Sequence, residues 1–430
     1  MSRIFMILFL LLSSSFGAIR HFSLYKKNGS ILSNRLLVIG GIHGNEPGAY
    51  FAPSVLVTHY KITKGSLWVI PNLNFDSDVT NSRGLYGDMN RKFAYIKKND
   101  KDFKIVRDIK KIITNPKVDL ILNLHDGHGF YREAWENKTF NPQAWGQACI
   151  IDQDSVKSKK FGNLKEIATK VANQLNNHLM KKYHLFHIKN TQTRLKDKAM
   201  RLSLTYYAIN QNKPAFAIET SKNIKPLYKK VFYQLRAIEG FMKQMGIEYT
   251  RDFKLTPKSV KKVLANYGTA TINNNTITSL NDVRRYLKYF PLKRRKNQIK
   301  GKDPLLALVK RRGHFDIMVG NILLSSLSPD YKKQEKCLET LPMRIDGKKY
   351  NAKIASIVDV KGSFSTRANS KYRINVIGFS KRNVYNENAI KIRKKDINKY
   401  YSMDYNKSQF RIEIYKKKTY CGMVVVNFKN

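Results

Sequence analysis

An α/β domain built on a mainly parallel sheet, followed by two small, mainly β domains, is the architecture the sequence predicts. Three observations predict it. Up to about residue 246, short, continuously apolar runs ending in turn residues alternate with helix-patterned stretches. Continuous rather than alternating apolar strands, interleaved with helices, are the mark of a sheet covered on both faces. After about residue 250 the texture changes to short segments rich in β-branched and aromatic residues, and long helical patterns become rare. With 430 residues, 42% of them hydrophobic, the chain exceeds one typical core and suits roughly two to four domains.

The first element is a leader. "MSRIFMILFLLLSSSFG" places Arg3 before an apolar core over residues 4–12, with small residues at the cut expected after Gly17. This is the pattern of a secretory signal peptide over residues 1–17. Its core of about nine residues is too short to span a bilayer. Retention as an N-terminal anchor is the alternative, but no later apolar run is long enough to cross, so the mature chain carries no transmembrane segment. The formal net charge is +49. Export makes nucleic acid an improbable partner for it and leaves an anionic cell wall or membrane surface, or lysines that only solvate the surface. The three cysteines, Cys149, Cys337 and Cys421, are widely spaced and form no CxxC. They support neither a thiolate metal site nor a disulfide framework, and leave room for one bridge. Few cysteines in an exported chain of this size suit a periplasm.

Residues 18–250 form the α/β domain. Its strands are predicted at "RLLVIGGI", "SLWVIPNL", "VDLILNLH" and "PAFAIET". Helices are predicted at "FGNLKEIATKVANQLNNHLM" and at "VFYQLRAIEGFMKQMG", the latter ending at Gly246 as a C-cap. The remainder divides into β domains at 251–345 and 346–430, with the break near Asp346 and Gly347. It holds 41 Lys+Arg against 13 Asp+Glu by count, and a single histidine, His314.

Ligands of an open parallel sheet gather beyond the carboxyl ends of its strands. His43 and Glu46 in "GGIHGNEPG", His125 in "NLHDG" and Glu219 in "FAIET" all fall just past such ends, and the fourth run leads to Arg83 and "GDMNRKF". Two imidazoles and a carboxylate are a ligand set for catalytic zinc with a fourth position open. A further carboxylate can act as base, and arginines can grip a substrate carboxylate.

In this ordered set the chain resembles the zinc metallocarboxypeptidases. "HGNE" is similar to their HxxE, "GDMNRKF" to their Asp-x-Asn-Arg segment, "NLHDG" to the segment of the second histidine and "FAIET" to that of the late glutamate. The resemblance spans roughly residues 35–245 and is nearest to the peptidoglycan DL-carboxypeptidases that set helical cell shape. It implies a carboxypeptidase-like mixed sheet flanked by helices, then two β domains, the second immunoglobulin-like. It also implies one zinc ion held by His43, Glu46 and His125, with Asp88 orienting His43. Asn90 and Arg91 would grip the substrate's terminal carboxylate. Arg83 would lie beside the scissile carbonyl, and Glu219 would be the general base. Trp145 and Thr205 are candidate pocket residues, and Tyr206 or Tyr207 a candidate for the family's mobile tyrosine. His128 reads as a loop or supporting residue, and His184 and His187 as surface or packing residues on a strand. The implied reaction removes meso-diaminopimelate from the muramyl tripeptide, with peptidoglycan muropeptides as partners. Two rivals remain: a zinc-dependent deacylase of N-acyl amino acids, and a non-catalytic basic wall-binding protein.

Overall fold

A computed structural model describes residues 22–429. The leader expected over residues 1–17 lies outside them. Strands β1 (Tyr25–Asn28), β2 (Ile31–Ile39), β3 (Tyr60–Ile70) and β4 (Leu120–Gly127) open the first domain, with helices α1 (Pro47–His59), α2 (Phe75–Val79) and α3 (Phe103–Ile113) between them. Two short strands, β5 (Phe130–Tyr131) and β6 (Phe140–Asn141), pair with each other. Then follow β7 (Ala148–Ile151), α4 (Leu164–Asn176), β8 (His187–Asn190), α5 (Leu204–Asn210), β9 (Ala215–Ser221), α6 (Leu227–Gln244), β10 (Glu248–Arg251) and α7 (Pro257–Leu264).

The main sheet has eight strands in the order β1-β3-β2-β4-β9-β7-β8, with β10 also on β3. The centre, β3-β2-β4-β9, is parallel, and β7 enters antiparallel to β9. The sheet is therefore mixed, and its four central strands are the four apolar runs of the sequence. They are buried on both faces, which is why they read as continuous rather than alternating. Helix α6 ends at Gly246, whose φ of +64° is the left-handed cap conformation that glycine adopts without strain.

Two domain breaks differ from expectation. The chain does not leave the first core at residue 250: Leu255 and Val260 still belong to it. Asp346 and Gly347 are not a linker either. They form the turn of a hairpin between strands Thr340–Ile345 and Lys348–Lys353, and Asp346 Oδ1 accepts the amides of Gly362 and Ser363. The expected break at 250 followed a change of texture that precedes the last residues of the first core, and a turn at 346–347 closes a hairpin as readily as it joins domains.

The middle region holds a three-stranded and a four-stranded sheet. It docks on α1, where Ser54 donates to Asp303 at 2.7 Å and Gly320 sits against Tyr50 and Phe51. The C-terminal domain has two four-stranded sheets over a shared core, a sandwich of the architectural type of immunoglobulin domains. Its last strand, Thr419–Phe428, is buried on both faces. Val424 and Val426 enter the sandwich core, while Met423 and Val425 enter the core of the middle region. One disulfide forms, Cys337–Cys421, and Cys149 is free and buried. Among the described residues no helix is long and apolar enough to cross a membrane.

Candidate active site

The site grows from the way β2 ends. Gly41 takes φ +69° and turns the chain sharply, and Pro47 starts α1 at its first turn. Between them His43 and Glu46 are delivered buried to the rim of the sheet. Glu46 occupies the N-cap of α1, but its side chain makes no cap bond. It turns to the site instead, with the positive end of the helix behind it.

His125 and Glu219 lie inside β4 and β9, not beyond them as the sequence reading places them, because both strands run two residues further. They are direct cross-strand partners, so their side chains share one face. Asn123, two residues before His125, shares it too.

Around Glu46 the geometry converges. Its Oε1 lies 3.0 Å from His43 Nδ1, and its Oε2 lies 2.9 Å from His125 Nδ1. The ligand atoms of the three residues all fall within 4.8 Å of one another, so the group could hold a metal ion. Each imidazole is backed on its far nitrogen. His43 Nε2 donates to Asp88 Oδ1 at 2.8 Å, which leaves Nδ1 as a lone pair facing the centre. His125 Nε2 is 2.8 Å from the Asn123 side-chain amide, whose Oδ1 has no partner among the described residues. Turned over, that amide accepts the Nε2 proton and His125 too offers Nδ1 to the centre. Two nitrogens and a carboxylate, with the remaining side open to a pocket, fit a borderline divalent cation such as zinc.

Burial disfavours a charged His43, but Glu46 and Asp88 outweigh it and raise its pKa. Burial likewise pushes the Asp88 carboxyl up, and His43, Arg83 and Arg91 more than reverse this, holding it well below the usual range. Glu219 goes the opposite way. Complete burial, then the charges of Glu46 and Asp126, raise its pKa well above the carboxylate norm. Its Oε2 has no partner among the described residues. Gly127 makes room for it: a Cβ there would stand 2.8 Å from that oxygen and 2.5 Å from Trp145 Cβ.

His43, Glu46, His125, Gly127 and Glu219 line one cavity of about 320 Å³, together with Arg83, Asn90, Arg91, Trp145 and Thr205. Arg83 reaches Asp88 at 3.0 Å and Glu46 at 3.3 Å. Asn90 Oδ1 accepts the Leu204 amide at 3.0 Å, so its side-chain nitrogen is left to donate. Among the described residues Arg91 spends only Nη1, on the Asn90 carbonyl. Trp145 lies under Lys189 Nζ at 4.3 Å, and burial lowers that lysine to a pKa of about 8. His128 lines the cavity outside the ligand group. His184 is a buried packing residue, with Nδ1 2.8 Å from the Tyr233 hydroxyl; it lies on a 3-10 turn rather than the expected strand.

Tyr206 and Tyr207 are not among the lining residues. Tyr207 packs near Phe93, with Lys110 over its ring. Three other residues were not singled out by the sequence. Asp126 accepts the Gly48 amide at 2.8 Å and meets Lys230 at 3.1 Å, tying β4 to α1 and α6. Its only sequence signal is adjacency to His125. Lys222 stands 3.4 Å from Glu46, and Met200 lines the cavity. No local pattern marks either, since a lone lysine or methionine is common anywhere.

A group of two histidines and a glutamate that could hold a metal shares its pocket with a further glutamate, two arginines and an asparagine, a set suited to hydrolysis at a free carboxyl terminus. Fold and site together define a metallocarboxypeptidase. The family described as carboxypeptidase controlling helical cell shape, catalytic, matches residues 1–265, and the C-terminal domain of metallo-carboxypeptidase matches residues 334–429; the chain belongs to this family. Among solved structures it is similar to the cell shape determinant Csd4 of Helicobacter pylori in its apo form, at 40% identity and TM-score 0.91, over 95% of this chain and 100% of that one. The tripeptide-bound form of Csd4 matches with the same values. The mDAP-bound form, described as a D,L-carboxypeptidase, matches at 40% and 0.91 over 94% of this chain and 100% of that one. No curated protein matches.

Proposed function

We propose that the protein is a zinc-dependent DL-carboxypeptidase of the periplasm that removes meso-diaminopimelate from the muramyl tripeptide of peptidoglycan. The observation that carries this is the placing of Glu219, cross-strand to His125, in the same cavity as the His43, Glu46 and His125 group. The substrate follows from Csd4, which has been solved with a tripeptide and with mDAP. A disulfide is in keeping with an oxidising compartment.

Each residue then has a task. His43, Glu46 and His125 would hold the zinc, which when bound would supply Lewis acidity. Glu219, with its raised proton affinity, would take a proton from the attacking water and deliver it to the departing amine. Arg83 faces the carbonyl and offsets the negative charge that develops on its oxygen. Asn90 and Arg91 donate to the terminal carboxylate, which confines cleavage to the last residue. Trp145 and Thr205 line the space for that residue. Asp88 holds His43 in the tautomer that offers Nδ1.

The test is incubation with purified muropeptides, with and without chelator, followed by mass analysis and metal determination. Tripeptide should lose one diaminopimelate residue, and chelation should stop this. Preference for N-acyl amino acids would favour a deacylase instead. A protein that binds wall material but leaves every muropeptide intact with metal present would refute the enzymatic reading.

A further inference from the structure

The active-site cavity lies in the first domain, and a larger concavity lies in the basic half of the chain. It measures about 570 Å³ and is walled by both β regions, including Tyr289 and Lys332 from one and Asn375, Asn398 and Tyr401 from the other. A second hollow of about 210 Å³ shares Tyr401 and Arg411 with it and adds Tyr286, Lys288 and Tyr400.

Several features show a built cleft rather than a gap between domains. Strand Tyr286–Leu292 loses register with its partner between Leu287 and Phe290. Lys288 and Tyr289 stand opposite the single Ser328 in this bulge, a device that re-aims side chains. Tyr289 adopts φ +53°, unusual for a bulky residue, yet it is 63% exposed. Strain held at an exposed side chain points to a use for that side chain. The bulge is held from beneath by Arg411, only 4% exposed, whose Nη2 donates to the carbonyls of Lys288 at 3.0 Å and Tyr289 at 2.9 Å. Arg411 Nε and Glu413 Oε1 stand 2.9 Å apart but out of line. Neither atom has a hydrogen-bond partner among the described residues, and both residues line the larger concavity. The opposite wall is fixed as well. Arg284 donates to the carbonyls of Lys399, Tyr400 and Asp404, which sets Tyr400 and Tyr401 edge to face with centroids 5.4 Å apart.

Exposed tyrosine rings, with Lys288 Nζ 5.4 Å over that of Tyr400, lie beside amide and charged groups and suit a ligand with apolar faces and polar edges. A sugar ring is such a ligand: its C–H face stacks on an aromatic ring, and its hydroxyl and amide edges reach groups such as Asn375 and Asn398. Lys288, which has no carboxylate partner among the described residues, favours a ligand that also carries carboxylates, whereas Arg284 is spent on three backbone carbonyls and Lys332 is paired with Asp330 at 2.9 Å. Asp330 and Glu413 in the same wall disfavour a polyphosphate.

The geometry points to a second binding site, in which the cleft between the two β regions takes a carboxylate-bearing amino-sugar chain. Naming that chain as wall glycan rests on the proposed function above. The cleft would hold the enzyme on the glycan while the catalytic cavity works on the attached peptides.

The test uses the full mature chain and peptide-free glycan strands released from sacculi by an amidase. Binding is measured by titration calorimetry beside cleavage of soluble tripeptide. Wild type should bind the strands, and the double variant Tyr286→Ala, Tyr400→Ala should bind about tenfold more weakly or worse, a loss usual for buried aromatic anchors. Tyr289→Gly should also weaken binding while the melting temperature holds or rises, because glycine accepts the positive φ without strain. None of these variants should alter tripeptide cleavage. Absence of glycan binding by wild type, or affinity unchanged in the tyrosine variants, would overturn the proposal even with cleavage intact. Glycan binding without tripeptide cleavage would support the cleft and refute the catalytic reading.

Discussion

Gly127→Ala puts the steric design of the site under direct test. Gly127 ends β4 with an ordinary strand backbone, so a methyl group there acts through contact alone. The new Cβ would stand 2.8 Å from Glu219 Oε2 and 2.5 Å from Trp145 Cβ, where ordinary contact begins at 3.4 Å. The carboxylate must therefore withdraw by about 0.6 Å and the tryptophan by about 0.9 Å. Misplacing a reacting group by about 1 Å can cost on the order of 10²-fold in rate. Overpacking adds about 1–3 kcal/mol of destabilisation, and for a domain of this size each kcal/mol lowers the melting temperature by about 2–4 °C. The metal ligands are not touched. The variant should keep its metal, lose turnover by about 10²-fold and melt a few degrees lower. Steady-state kinetics on the tripeptide, metal analysis and thermal unfolding check this. Wild-type turnover with an unchanged melting temperature would refute the argument that Gly127 makes room for Glu219 and Trp145.

Glu219→Gln should retain metal and substrate binding and lose about 10²–10⁴-fold in turnover, read as kcat against KM; near-normal kcat would move the base elsewhere. The double variant His43→Ala, His125→Ala should purify folded and without stoichiometric zinc, and stoichiometric zinc in it would remove these residues from the ligand set. Asp152 is buried, which raises its pKa from 3.8 to about 6 despite bonds from Thr193 and Thr205. A carboxyl raised on folding adds stability that is full below about pH 3.8 and lost as pH rises through about 6, up to about 3 kcal/mol. Asp152→Asn should flatten the unfolding-midpoint profile across that window, and an unchanged slope would count against it. Cys337 and Cys421 close a loop of 84 residues, so reduction should destabilise the C-terminal sandwich by about 4 kcal/mol, measured by denaturant unfolding with and without reductant.

Most of the catalytic domain was legible in the sequence. Its four central strands are continuous apolar runs because they are covered on both faces. His43 and Glu46 follow the carboxyl end of β2, and His125 and Glu219 lie within the last three residues of β4 and β9, at the rim where a parallel sheet presents its ligands. Arg83, Asp88, Asn90 and Arg91 were named through the resemblance of their segment to that of the metallocarboxypeptidases, and Arg83, Asn90 and Arg91 line the cavity. Only the tertiary structure decided that His125 and Glu219 are direct partners across two strands nearly a hundred residues apart in sequence, and that Asn123 backs His125. It also decided that Lys222 and Met200 join the cavity, and that Tyr206 and Tyr207 do not. The β half shows the same limit. A glycine-containing turn reads alike whether it separates domains or closes a hairpin, so Asp346 and Gly347 looked like a boundary. The Cys337–Cys421 bridge and the tyrosine cleft depend on segments brought together from distant parts of the chain. Periodicity and short motifs report what neighbours in sequence share, whereas strand pairing, burial and cavity walls arise between residues that meet only when the chain is folded.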